Sequence, residues 1–83
     1  MANDTRTALI GIIVDNEEAV EALNSLLHEY RKVIIGRMGV PHPQKPISII
    51  SIAIEADQNT ISALSGKLGA LEGVSTKTIY SKM

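Results

Sequence analysis

A ferredoxin-like α+β fold is predicted, with one four-stranded antiparallel sheet and two helices on one face. Three observations predict it. The apolar pattern reads β-α-β-β-α-β along the chain. Its two β-α-β halves share a layout, though little sequence. Right-handed crossovers in both halves then place the first and third strands side by side in the middle.

The first strand is Arg6 to Val14, short, β-branched and apolar on both alternating faces, as a central strand should be. Asp15-Asn16-Glu17-Glu18 follows. Asp15 is the expected cap, with Glu18 three residues on as its capping-box partner. From Glu17 to Tyr30 the apolar residues Val20, Leu23, Leu27 and Tyr30 fall at helical spacing. Glu21, Asn24, Ser25 and His28 take the other side. Val33 to Val40 is the second strand, and Gly36 and Gly39 suggest a bulge or a close backbone approach. Three prolines make Pro41 to Pro46 a loop. Ile47 to Ala56 is the third strand. Asp57 to Thr60 is a turn with ready N-caps. Ile61, Leu64, Leu68 and Leu71 mark the second helix, with Gly73 as its C-cap. Val74 to Tyr80 alternates with polar residues, as on an edge.

Composition narrows the function. Eighty-three residues make one domain, 1–83, and 45% apolar content makes it globular. A net charge of −1 argues against a basic nucleic-acid binder and against a membrane-surface protein. With no cysteine, disulfides, thiolate metal sites and thiol nucleophiles are excluded. Tyr30 and Tyr80 are the sole aromatics, too few for a base-stacking platform. The longest apolar run, Ala8 to Val14, is far short of the roughly 20 residues of a membrane span. Met1-Ala2-Asn3-Asp4 lacks the basic start of a signal peptide, so a cytoplasmic protein is expected.

Two helices on one face leave the other face of the sheet without cover from these 83 residues. The third strand puts Ile50, Ile52 and Ile54 on one side, and Ile47, Ile49 and Ala53 on the other. The first strand puts Ile10, Ile12 and Val14 on one side, and Leu9 and Ile13 on the other. Either choice points branched side chains outward, and such a patch marks an interaction surface. A homo-oligomer, dimer or tetramer, is expected, with Ile10, Ile12, Ile50, Ile52 and Ile54 assigned to its interface.

Three stretches carry a family resemblance: Leu26 to Tyr30, Ile34 to Pro41, and Ile61 to Gly69. Over roughly Thr7 to Ser81 the chain resembles the small regulators encoded with the iron-only (FeFe) hydrogenase system. Those are ACT-like domains akin to the C-terminal domain of the nickel-responsive regulator. The resemblance implies a ferredoxin-like fold, a regulatory role, small-molecule binding at subunit interfaces and hydrogenase-system proteins as partners. It implies no catalytic residue. The nickel-responsive regulator binds its metal through histidines and a cysteine, and carries a separate ribbon-helix-helix DNA-binding domain. With no cysteine and no room for a second domain, neither that nickel chemistry nor direct nucleic-acid binding is expected here.

Arg37 is the leading site candidate. A guanidinium in an apolar strand should be paired or hold an anion. Glu55 and Glu72 are possible partners; a ligand carboxylate or phosphate is the alternative. Gly36 and Gly39 would let a ligand approach the backbone. His42, in the proline loop, joins the set, and an oligomer could gather it around a metal. His28 falls on the polar helix face and reads as solvated. No metal site or cofactor is assigned. Ser65-Gly66-Lys67 hints at a phosphate loop, but Ile61 and Leu68 occupy positions that need Gly and Ser or Thr. Gly66 is instead expected to let its helix approach a neighbour, with Lys67 solvated.

Enzymes on this plan fare poorly. Acylphosphatases cradle an anion after the first strand, where this chain is acidic and lacks glycine. No Ser-His-Asp or paired-carboxylate arrangement is readable. RNA-recognition motifs share the topology but need aromatics on the central strands, where this chain has Ile, Ala, Gly and Ser. A ligand-sensing regulatory oligomer that takes a small anion is the leading reading, and a protein-interaction module without a ligand is the second.

Overall fold

A computed structural model describes residues 5–82. The four residues read above for a leader lie outside them. The strands are β1 (Arg6–Val14), β2 (Ile34–Pro41), β3 (Ser48–Ala56) and β4 (Val74–Tyr80), and the helices are α1 (Val20–Glu29) and α2 (Gln58–Gly69). The sheet order is β2-β3-β1-β4, with every neighbouring pair antiparallel. The ferredoxin-like βαββαβ arrangement holds, with β1 and β3 central. No helix among the described residues is long and apolar enough to cross a membrane.

The core lies between the helices and one sheet face. Ile10 pairs with Ile52 and Ile12 with Ile50 across the central strands. Above them sit Leu23 and Leu27 of α1, and Ile61, Leu64 and Leu68 of α2. Burying each of these aliphatic side chains stabilises the fold by about 1.5–3 kcal/mol relative to leaving it exposed.

This corrects the interface assignment. Ile10, Ile12, Ile50, Ile52 and Ile54 are buried beneath the helices and cannot form an outward patch. The outward face carries Leu9, Ile13, Ile49, Met38, Val40 and Ile79, all exposed. Its rows follow from the register. Val40, Ile49 and Ile13 make one aliphatic row, and Leu9 with Ile79 makes another. Gly11 and Ser51 pair between them and leave a shallow trough. The signal for the correct face was present. Thr7, Ser51, Glu55 and Lys77 share the outward parity, whereas Ala8 to Val14 and Ile50 to Ala56 are apolar at every inward position.

Three local expectations shift. Asn16, not Asp15, caps the first helical segment. Its side chain accepts from Glu18 N at 3.1 Å, a 3-10 turn (Glu17–Ala19) follows, and α1 begins at Val20. Asp15 is held elsewhere: its N–H donates to Gly73 O at 2.8 Å. Gly73 is not the cap of α2, which ends at Gly69 with Ala70 after it. It serves the turn into β4, with φ +82°. Pro41 closes the β2 ladder opposite Ser48. That is tolerable because β2 is an edge strand.

Asp57 caps α2 as anticipated, accepting from Thr60 N at 2.9 Å. Two hydrogen bonds to Thr60, from its side chain and its backbone, hold the Asp57 carboxyl below its ordinary value.

Candidate functional site

The bulge at Ile35 decides what β2 shows to each face. Ile34 pairs with Ile54 and Gly36 with Ala53, so Ile35 is the extra residue. Arg37 therefore shares the helix face with Ile34, not with Ile35, and lies opposite Ile52. Plain alternation along the sequence places Arg37 between Ile35 and Gly39 on one face; the bulge keeps Gly39 there and puts Ile34 in place of Ile35.

Arg37 reaches from the edge strand to α1. Its Nη2 donates to Asn24 Oδ1 at 2.9 Å. Neither carboxylate suggested by the sequence is its partner. Glu55 instead accepts from the Thr7 hydroxyl, a bond that lowers the Glu55 pKa. Among the described residues, no carboxylate forms an ion pair with Arg37; Lys67 and Glu29 make the ion pair found there, at 3.9 Å. Because the Asn24 carbonyl oxygen accepts from the guanidinium, its NH₂ group is left as a donor that makes no bond to Arg37.

Beside this pair lies a cleft of about 240 Å³ between α1 and the far ends of β2 and β3. Val14, Val20, Leu23, Pro41 and Ile50 make its apolar walls, and the Val40 backbone borders it. Gly39 opens it. A Cβ there would meet only Ile50 Cγ1 at 3.5 Å and Ile49 O at 3.6 Å, ordinary contacts, so the missing side chain leaves space. A second depression adjoins it and shares Asn24 and Arg37. It is lined also by Leu27, His28, Arg31 and Ile34. Arg31 donates Nη1 to His28 O at 2.9 Å and has no carboxylate partner among the described residues. The combined groove is cationic at one end and apolar at the other.

The predicted site residues divide. Arg37 and Gly39 meet in the cleft. Gly36 lies on the opposite face, paired with Ala53, and lines neither depression. His42 is also outside. Its Nδ1 accepts from Gln44 N at 3.0 Å and Lys45 N at 3.1 Å, which makes it an organiser of the hairpin loop. Asn24 was missed as a site residue. Its helical position gave a polar exposed reading, and the sequence holds no sign that a strand thirteen residues later crosses it. Ser65-Gly66-Lys67 lies inside α2, as anticipated. Yet a Cβ on Gly66 meets nothing within 4 Å, so Gly66 is not the close approach. Gly69 is, at 3.2 Å from Thr76 Oγ1. Nor is Lys67 merely solvated, since it lies 5.3 Å from the centre of the Tyr30 ring. A hydrogen bond and charge interaction with Tyr30, then the charge of Glu29, raise the Lys67 pKa.

Comparison with known proteins settles the kinship. Residues 6–78 match the family profile described as "TM1266-like: Iron-only hydrogenase system regulator, putative". The chain belongs to the TM1266-like family. A solved TM1266-like structure, the uncharacterized protein TM1266 from Thermotoga maritima, is 39% identical. It superposes with a TM-score of 0.90 over 94% of this chain and 99% of that one. A "Putative nickel-responsive regulator" of Saccharolobus solfataricus is 33% identical over 72 residues, 87% of this chain and 53% of that protein. The chain thus spans about half the length of that relative. The C-terminal domain of the MgtC protein from Mycobacterium tuberculosis, 8% identical with a TM-score of 0.73 over 96% of this chain and 92% of that one, shares the fold alone. The TM1266-like family is described as regulatory and not as enzymatic. A nickel site does not fit the described residues of this TM1266-like chain. His28 is on α1 and His42 is bound into its loop, and no three of His, Cys, Asp and Glu converge.

Proposed function

We propose that this domain is a ligand-sensing regulatory oligomer of the iron-only hydrogenase system, acting in the cytoplasm. Arg37 is the observation that carries the reading. It is a guanidinium at the mouth of an apolar cleft, bonded to neutral Asn24, with no carboxylate to balance it among the described residues. That guanidinium is exposed and keeps further N–H donors that a bound anion could accept from. Catalysis is not part of the proposal. Ser48 is the one hydroxyl lining the cleft, and no histidine or carboxylate lines it to act as a base.

The outward sheet face supports the oligomer. Ile13 and Ile49 lie opposite each other on it, flanked by exposed Val40. Contiguous apolar surface of this kind favours association. The same face also supports a second reading, an interaction module for hydrogenase-system proteins with no small ligand. Native mass spectrometry of gently purified protein separates the readings. A dimer or tetramer with added small-molecule mass is expected, and Ile13→Glu should give a folded monomer because Ile13 is outside the core. A bare oligomer supports the interaction module. A wild-type monomer overturns the oligomer.

A further inference from the structure

We propose that the ligand is a small amphiphile: one oxyanion head, carboxylate or phosphoryl, on a short aliphatic body. This inference rests on the reading of Arg37 as an anion site and adds what the rest of the molecule must be.

The head belongs between α1 and β2. Arg37 spends one N–H on Asn24 and keeps its other donors. The Asn24 NH₂ group is a further donor beside it. Arg31 and His28 line the same end of the groove, and no acidic side chain lines either depression. A cation would be repelled there. An uncharged ligand would leave the guanidinium without an anion.

The body belongs in the cleft. Its walls are aliphatic at Val14, Val20, Leu23 and Ile50, and those side chains offer no hydrogen bond. An inorganic anion would occupy the mouth and leave the exposed Val20 wall wet. At the roughly 30 Å³ that one water takes up in the liquid, a cleft of 240 Å³ holds about eight non-hydrogen atoms. A six-carbon carboxylate is that size. Gly39 sets the limit, since any side chain there would project into the space the body needs.

The test titrates isotopically labelled protein and follows backbone amide signals by NMR. The probes are hexanoate, hexyl phosphate, inorganic phosphate and 1-hexanol. Either amphiphile should shift Asn24, Arg37, Gly39 and Val40, at least about tenfold more tightly than phosphate, since about two buried methylenes suffice for that factor, and about tenfold more tightly than hexanol, which lacks the charge that Arg37 would bond. The stronger of the two identifies the head. Arg37→Gln and Gly39→Val should each weaken binding by about tenfold or more while the spectrum stays that of a folded protein. Gly39→Val fills the cleft from an edge strand that suits a β-branched residue. Phosphate binding as tightly as hexanoate overturns the aliphatic body and leaves the anion reading standing. Hexanol binding as tightly as hexanoate overturns the anionic head. Binding that Gly39→Val does not weaken puts the ligand elsewhere and overturns the proposal. No response to any probe overturns both the amphiphile and the anion site.

Discussion

The β3-α2-β4 half of the molecule is closed, and the β1-α1-β2 half is open, although both follow one plan. On the closed side small groups let helix and edge strand meet. Gly69 faces Thr76 with room for no more than 3.2 Å to an added carbon. The Ser65 hydroxyl accepts from Thr78 Oγ1 at 3.2 Å and lies 3.4 Å from Thr76 Oγ1. On the open side the edge strand offers Arg37, Gly39 and Pro41 to the same gap. Arg37 spans it by one hydrogen bond to Asn24, and Gly39 leaves it unfilled. The difference teaches that a repeated layout need not repeat its work. One half supplies packing, and the other keeps a cleft at modest cost because the shared core lies beneath both.

Substitutions that strike each half should break this symmetry in opposite ways. Leu64→Ala, at a fully buried position of α2, should cost about 2–5 kcal/mol. Arg37→Ala should cost less than about 0.5 kcal/mol, because it removes one exposed hydrogen bond. Urea denaturation of both variants measures the gap; equal losses would mean that the open half bears as much of the stability. Next in size is Gly73→Ala, at the seam between the halves. A Cβ there collides with Asn16 Cβ and lies 2.9 Å from Asp15 Oδ1, in a backbone with φ +82°. The expected loss is about 1–3 kcal/mol. It should exceed the loss from Asn16→Ala in the same assay if the turn, rather than the cap, joins the halves.

How much of this was legible depended on whether one residue or two had to be placed. The ends of β1 and β4 were read to the residue because alternation and bounding turns are local signals. Asp57 was read as a cap candidate for the same reason. The choice of buried face was harder, since β1 and β3 carry aliphatic residues on both parities. Glu55 and Ser51 held that information but had to be weighed together across two strands. The bulge was visible in Gly36, yet its exact residue, Ile35, was not. That single position moved Ile35 away from the side that Arg37 occupies. Asn24 could not be found at all, because its role exists only once α1 and β2 are side by side.

The comparison sharpens further at α2. Gly66 has open space around its would-be Cβ, whereas Gly69, three residues later, does not. Gly66→Ala should therefore raise stability by about 0.5–1 kcal/mol through helix propensity and reduced freedom of the unfolded chain. Gly69→Ala should gain less or lose, because Thr76 must give way. Calorimetric melting of the two variants ranks them, and an equal gain from both would mean that α2 is not held close to β4.

The smallest expected effect lies at the start of the same helix and depends on pH. Thr60 holds the Asp57 carboxyl below its ordinary value of 3.8 by donating hydrogen bonds that favour its charged form. A carboxyl whose pKa is depressed on folding adds stability above its unfolded value, where both states are charged. Between the two values the unfolded chain binds more protons, so that contribution is lost as pH falls through the folded value. Asp57→Asn keeps a capping side chain but cannot titrate. The melting temperatures of wild type and variant should thus differ most near pH 6 and converge toward pH 3, windows set around the usual carboxyl range of about 4. Glu55, lowered by Thr7, titrates in the same direction in both proteins and cancels from the difference. Curves that run parallel from pH 6 to pH 3 would mean that the Asp57 charge adds nothing to its cap, leaving α2 anchored by its core packing alone.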